Sequence, residues 1–379
     1  MEKNSGSRIK AIFALSCVLY TCHIGPGFSS GAQIVQYLVR WGWTGVFLGP
    51  IIIGVLGVFV TYLVLEYSRR INATNYRMFY DNFYGKYSIF FSNLKEVLFT
   101  LLCLLTSANV FATGGSLLNM AFGINVLAGG LICGVVVILL TMFGNKLVSS
   151  SASVITVILI ALMIYIAAIS LSKAWPATSE FIATRTMNAS YPYAFLRIIN
   201  YWAGLLTFLD TGITMIGTSS KSKKDTLWIA ICGCGLVILT LIPMAILLAA
   251  GMPQVASESI PTLWALENVV KVGGTIKYIY VAIALAALIS TGVGFLYAII
   301  QRHLPRVKGW TKISSDNVVR GIMLLVIMTV AFFLGKFGVI AIVNKGYGTL
   351  AYANIPFYFL PFAILLPGKL RKLESGKDE

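Results

Sequence analysis

Ten stretches of this chain are apolar for long enough to cross the hydrocarbon core of a bilayer, and no motif constrains its fold as strongly. Their approximate limits are 9–38, 44–67, 93–119, 124–143, 151–172, 193–218, 226–250, 274–301, 317–343 and 347–367. A core of about 30 Å takes about 20 residues of helix. Lipid offers the backbone no hydrogen bonds, so such stretches must satisfy their own N–H and C=O groups as helices. Only 11% of the 379 residues are charged and 58% are hydrophobic, where a soluble domain carries about 25% charge. The expectation is an all-α polytopic membrane protein with no room for a sizeable soluble domain. Polar interruptions around 67–88, 173–192, 251–273 and 302–316 read as connecting loops. Met1–Lys10 is polar, and the apolar run after it is too long for a cleaved signal peptide, so it reads as the first span.

The net charge of +16 raises the possibility of a nucleic-acid partner, but its distribution argues for none. With the amino terminus in the cytoplasm, 21 of the 29 Lys and Arg residues fall on the cytoplasmic side. That is an orientation signal and a contact for anionic lipid. Ten spans with both termini in the cytoplasm follow. Cys17, Cys22, Cys103, Cys133, Cys232 and Cys234 all lie in apolar segments without metal-ligand partners, and read as small buried hydrophobes.

The first span is interrupted by Gly25-Pro26-Gly27-Phe28-Ser29-Ser30-Gly31. Glycine costs about 1 kcal/mol and proline roughly 3 inside a helix, yet the apolar pattern resumes at Ile34-Val35. A break inside a membrane survives only where its backbone is buried in protein or lines a polar cavity, and secondary transporters build their sites from such breaks. A second break is expected at Thr207-Phe208-Leu209-Asp210-Thr211-Gly212. An aspartate at helix centre costs roughly 3 kcal/mol on insertion scales. Asp210 therefore either faces a cavity and acts, or bends the helix by bonding to nearby backbone. A shift of about 184 residues carries the first break onto the second and Thr106-Ser107 onto Ser290-Thr291. Five spans followed by five must point in opposite directions, which makes two inverted five-helix repeats. Residues 1–172 would form the first repeat, 173–192 an external connection, 193–367 the second repeat and 368–379 a cytoplasmic tail.

The breaks nominate the site. Free amides of Phe28, Ser29 and Ser30 at a half-helix start attract an anionic group, and glycines at 25 and 27 let ligand and backbone approach. Carbonyls at Cys22, His23 and Ile24 suit a cation or a substrate ammonium. The expected substrate-binding set is Gly25, Pro26, Gly27, Phe28, Ser29, Ser30, Thr207, Phe208, Asp210 and Thr211, with Thr106 and Asn109 from the third span. Packing is an equal alternative for the last two. Ser290 and Thr291 lie in a small-residue run that either packs closely or coordinates Na⁺ with Ile24 and Gly27, since hard cations prefer oxygen. His23 can carry a proton or act as a neutral hydrogen bonder, so ion coupling is assigned to His23, Ile24, Asp210, Ser290 and Thr291. Between the seventh and eighth spans, Ser259 and Pro261 read as cap and first turn of an external helix that could serve as a lid. Tyr76–Phe91, rich in aromatics, reads as an interfacial segment. Glu66 and Glu96, near cytoplasmic ends, are expected to reach water.

The first break and its flanks, His23–Tyr37, resemble the glycine-rich opening motif of the YkvI-like bacterial membrane proteins, which belong to the amino acid–polyamine–organocation transporter superfamily. The resemblance covers the first span by motif and the rest by topology. It implies the leucine-transporter fold, with helices one and six broken around a central site, in a bacterial cytoplasmic membrane. YkvI-like chains usually carry a glutamine-glutamate pair after the last glycine. Here the pair is Ala32-Gln33, and Pro26 stands where a small residue is usual. That substitution directs attention to Asp210 and His23 for the coupling role of the missing acid.

The function expected is ion-coupled symport, with Na⁺ or H⁺, of a small organic solute, an amino acid or related amine, by alternating access. The alternative is a channel-like or transport-inactive sensor or scaffold on the same fold. No nucleotide-binding loop, HExxH motif or nucleophile–base pairing is visible, so neither ATP drive nor an enzyme is expected, and no cofactor beyond the coupling ion. The sequence carries no signal of oligomeric state.

Overall fold

The computed structural model describes residues 2–23, 26–143, 145–184, 191–209, 212–311 and 313–375. Among the described residues the chain is helical between short turns, with no strand. The first apolar stretch is divided into α1 (Glu2–His23), α2 (Pro26–Ser29) and α3 (Ala32–Tyr37). There follow α4 (Thr44–Arg70), α5 (Tyr76–Tyr84), α6 (Ser88–Phe122), α7 (Val126–Phe143) and α8 (Asn145–Thr184). The sixth stretch is divided into α9 (Tyr191–Leu209) and α10 (Ile213–Ser219). Then come α11 (Lys223–Ala249), α12 (Pro261–Ala265, continuing as a wider π-helical turn Leu266–Val270), α13 (Gly274–Thr311), α14 (Asp316–Gly335) and α15 (Gly338–Glu374). Among the described residues seven helices, α4, α6, α7, α11, α13, α14 and α15, are long and apolar enough to cross a membrane, and α8, bent by 43°, makes an eighth.

The faces these helices leave uncovered are apolar. On α7, Leu127, Leu131, Val135 and Leu139 recur every fourth residue and are exposed, which places one continuous stripe outward. Water would not tolerate such stripes over most of a molecule, whereas hydrocarbon does. Inward, small residues bring backbones together. A methyl group on Gly130 of α7 would stand 2.7 Å from the Phe111 carbonyl of α6. Caps start helices where polar side chains precede them. Asn75 accepts from the Met78 amide at 2.9 Å to begin α5, and Ser222 accepts from the Asp225 amide at 3.2 Å to begin α11.

Several expectations need correction. The Tyr76–Phe91 stretch is divided: Phe79, Tyr80 and Phe83 of α5 are buried in protein against Phe362 of α15, whereas Tyr87, Ile89 and Phe90 stay exposed. Glu66 does not reach water. It is buried and held by Arg69 and Arg70, one turn along α4. Helix α8 continues to Thr184 through much of the presumed external connection. The ninth span stops at Gly335, and the tenth starts after Phe337, at Gly338, whose φ is +81°. Ser259 does not cap α12; Ile260 occupies that position, with Pro261 as the first residue. Leu263, Ala265 and Leu266 of α12 are buried, and its Thr262 amide donates to the Ser30 carbonyl at 3.0 Å. Helix α12 is thus hooked directly onto the first interruption.

Candidate functional site

At the first interruption, α1 is described as far as His23. Ile24 and Gly25 lie outside the described residues, as do the side chains of Pro26 and Ser29. His23 is buried, its ring parallel to Trp202 of α9 at 5.7 Å. Its Nδ1 bonds the Leu19 carbonyl at 2.8 Å. A carbonyl can only accept, so Nδ1 carries the proton and, in the neutral ring, Nε2 presents a lone pair. That Nε2 is buried without a hydrogen-bond partner among the described residues. After α2 the chain turns on Gly31 (φ +84°), a conformation glycine adopts without penalty. The Ser30 hydroxyl donates to the Gly27 carbonyl at 3.1 Å and accepts from the Ala32 amide at 3.3 Å. Gln33 folds back over the turn. A methyl group on Gly27 would stand 2.6 Å from its Cδ, so Gln33 packs against the interruption itself. Phe28 is fully buried, and α2 packs between α6 and α13.

Asp210 and Thr211 also lie outside the described residues. Just before them, α9 carries Arg197, Asn200 and Thr207 in a polar stripe interrupted by Gly204, spacings that share one helix face. Helix α15 presents a matching stripe at Asn344, Tyr347, Ala351 and Asn354. The two meet in register. Arg197 donates to the Asn344 side-chain oxygen, Asn200 to the Gly348 carbonyl and Asn354 to the Thr207 hydroxyl, at separations of 147, 148 and 147 residues. A constant separation means that α9 and α15 run in the same direction. Within α15 the residues Ile342–Tyr347 form a π-helical turn, a feature frequent at functional sites. The Tyr37 hydroxyl of α3 donates to its Val343 carbonyl at 2.8 Å, and the Arg197 guanidinium lies 4.5 Å from the centre of the Tyr37 ring.

Thr106 and Asn109 join the same seam from α6. Both are buried beside the Tyr347 hydroxyl. The Asn109 side-chain oxygen accepts from Thr113 at 2.7 Å. Phe208 packs edge-on against both Tyr347 and Phe295, with ring centres 5.8 Å away in each case. The geometry therefore brings together Thr106, Asn109, Thr207 and Phe208, and sets Phe28, Ser30 and His23 at the neighbouring interruption. Thr291 donates to the Ala287 carbonyl at 2.8 Å on its own helix, and Ser290 is half-buried beside it. No hydrogen bond joins either to the interruption among the described residues.

Arg197, Asn200, Tyr347 and Asn354 were missed from sequence. The stripe spacing on 197–207 and 344–354 was the available signal. Hydrophobicity alone hides it, because each polar residue sits among apolar neighbours.

No protein-family model matches the chain. A membrane protein of Bacillus subtilis (strain 168), called uncharacterized membrane protein YkvI, is 22% identical over 365 residues, which is 94% of this chain and 96% of that one. Among solved structures, a substrate-bound, outward-open Na⁺-coupled sialic acid symporter matches with a TM-score of 0.63 at 14% identity, covering 93% of this chain and 78% of that one. The Eremococcus coleocola manganese transporter matches at 0.56 and 14% identity, over 93% and 78% of the two chains. Inward-facing Mhp1 matches at 0.55 and 15% identity, over 93% and 75%. The chain is a multi-pass membrane protein with the helical fold that these transporters share.

Proposed function

We propose that the chain is a YkvI-like secondary active transporter of the amino acid–polyamine–organocation superfamily, moving a small organic solute by alternating access with Na⁺ or H⁺. The solute class is an amino acid or related amine. In this reading ten helices cross a bacterial cytoplasmic membrane as two inverted five-helix repeats, 1–172 and 193–367, with both termini in the cytoplasm. The α1–α3 and α9–α10 segments are the interrupted first and sixth spans of a leucine-transporter fold. Packing directions support this. Helix α9 parallels α15, as the sixth and tenth spans must. Leu19 of α1 lies against Gly233 of α11, and Gly217 of α10 against Ser68 of α4, a pairing that inverted repeats duplicate.

The observation that carries the proposal is a buried polar seam between α6, α9 and α15, adjoining an interruption whose backbone is turned by Gly31 and covered by Gln33. Burying uncompensated polar groups among apolar helices is expensive, and a solute site accounts for them. Coupling falls to His23, Ile24, Asp210, Ser290 and Thr291, with Na⁺ held by Ile24, Gly27, Ser290 and Thr291 or a proton by His23. The Nε2 lone pair supports the proton.

The test is a thermal-shift screen of the purified protein against amino acids and amines, with and without Na⁺ and across pH, followed by uptake in liposomes. A bound ligand stabilises by mass action. Saturable uptake with counterflow is expected. Non-saturable conduction would assign a channel, and stabilisation without uptake would assign a transport-inactive sensor.

A further inference from the structure

Besides Asn200 Oδ1, four buried polar atoms in the seam make no hydrogen bond of regular geometry among the described residues: Thr106 Oγ1, Asn109 Nδ2, the Tyr347 hydroxyl oxygen and Asn354 Oδ1. Native structures satisfy nearly all such atoms, so each exception asks for an explanation. These four are grouped rather than scattered. The Tyr347 hydroxyl lies beside Thr106 and Asn109, Asn354 bonds Thr207, and Phe208, next to Thr207, touches the Tyr347 ring.

Their orientation is set by the protein. The Asn109 oxygen is occupied by Thr113 at 2.7 Å, which aims its NH₂ away. The Asn354 NH₂ is occupied by Thr207, which leaves its oxygen over. The group therefore offers one committed donor, one committed acceptor and two hydroxyls able to do either. None of the four carries charge. Arg197 of the seam is engaged by Asn344 and the Tyr37 ring. Phe208 and Phe295 form an apolar wall beside them.

We infer that Tyr347 and Asn354, with Thr106 and Asn109, form a subsite for an uncharged hydrogen-bonding group of the solute, an amide or a hydroxyl, and select such solutes over aliphatic ones. This rests on the transport reading and specifies its substrate class. A site that leaves buried polar groups unpaired when an aliphatic analogue binds rejects that analogue strongly, whereas a purely apolar pocket would discriminate little.

The test measures thermal midpoints of the full-length protein in detergent with L-glutamine, L-asparagine or L-serine, and with L-leucine or L-norvaline at equal concentration. The polar probes should raise the midpoint and the aliphatic ones should not. Tyr347→Phe and Thr106→Val should leave the ligand-free midpoint within a few degrees of the wild type, because only the loose contacts of the Tyr347 hydroxyl with Thr106 and Asn109 are lost, while weakening the polar probes at least about tenfold. The inference is overturned if aliphatic probes stabilise equally, if no polar probe stabilises, or if either variant lowers the ligand-free midpoint by several degrees. In the first of those results the transport reading survives and only the selectivity falls.

Discussion

Gly31→Ala offers a quantitative trial of the contact between α12 and the first interruption. Two costs add at that position. Its φ of +84° lies in the left-handed region, where a Cβ costs roughly 1–2 kcal/mol. The new methyl carbon would also stand 2.5 Å from Thr262 Oγ1 and 3.0 Å from the Thr262 amide nitrogen, so α12 must move. Moving it sacrifices the 3.0 Å bond from that amide to the Ser30 carbonyl, a further loss of about 1 kcal/mol or more in a buried setting. The expected total is roughly 2–4 kcal/mol. Gly123 supplies the control, since its φ is +70° and nothing lies within 4 Å of a methyl added there; Gly123→Ala should cost only the backbone share, about 1–2 kcal/mol. Thermal unfolding in detergent gives the stability difference, and hydrogen–deuterium exchange of the 258–270 peptide gives its location. Gly31→Ala should speed exchange at the Thr262 amide, and Gly123→Ala should leave it alone. Equal destabilisation by both variants, with unchanged exchange at Thr262, would refute the hooked arrangement.

Three further outcomes are expected. Asp210→Asn and Gly27→Leu should each abolish solute uptake in liposomes while the protein still inserts and purifies as wild type, the second because its side chain would displace Gln33. Asn344→Asp places a carboxylate against the buried Arg197 guanidinium, now held by a neutral amide oxygen. It should raise the thermal midpoint, whereas Arg197→Leu should lower it by removing both the Asn344 bond and the Tyr37 stack. Lys95 of α6 sits buried with its ammonium 4.5 Å from the Tyr358 ring centre and 5.4 Å from that of Tyr80. Lys95→Met should cost about 1–2 kcal/mol, seen as earlier proteolytic cleavage around α5.

The sequence by itself determined the class of fold and the place where its regularity fails. Uninterrupted apolar length demands helices in lipid, and Gly25–Gly31 cannot continue one. Both statements are local, resting on hydrogen bonding and backbone freedom within a few residues. The polar stripe from Arg197 to Thr207 was legible in the same way, because a 3.6-residue period decides which side chains share a face. What that face meets is a different matter. Only the tertiary structure set α9 against α15 in register, brought Thr106 and Asn109 to Tyr347, turned Gln33 back over Gly27 and drew the aromatic face of α5 into protein. Apart from Gln33 over Gly27, those pairings join residues more than a hundred positions apart. Any amphipathic face is served comparably by lipid, by water at an interface or by another helix, so periodicity cannot choose among them. The choice falls to close packing, where glycines at Gly130 and Gly233 admit one partner backbone or side chain and exclude others, and each polar residue is fixed by the neighbour that approach delivers.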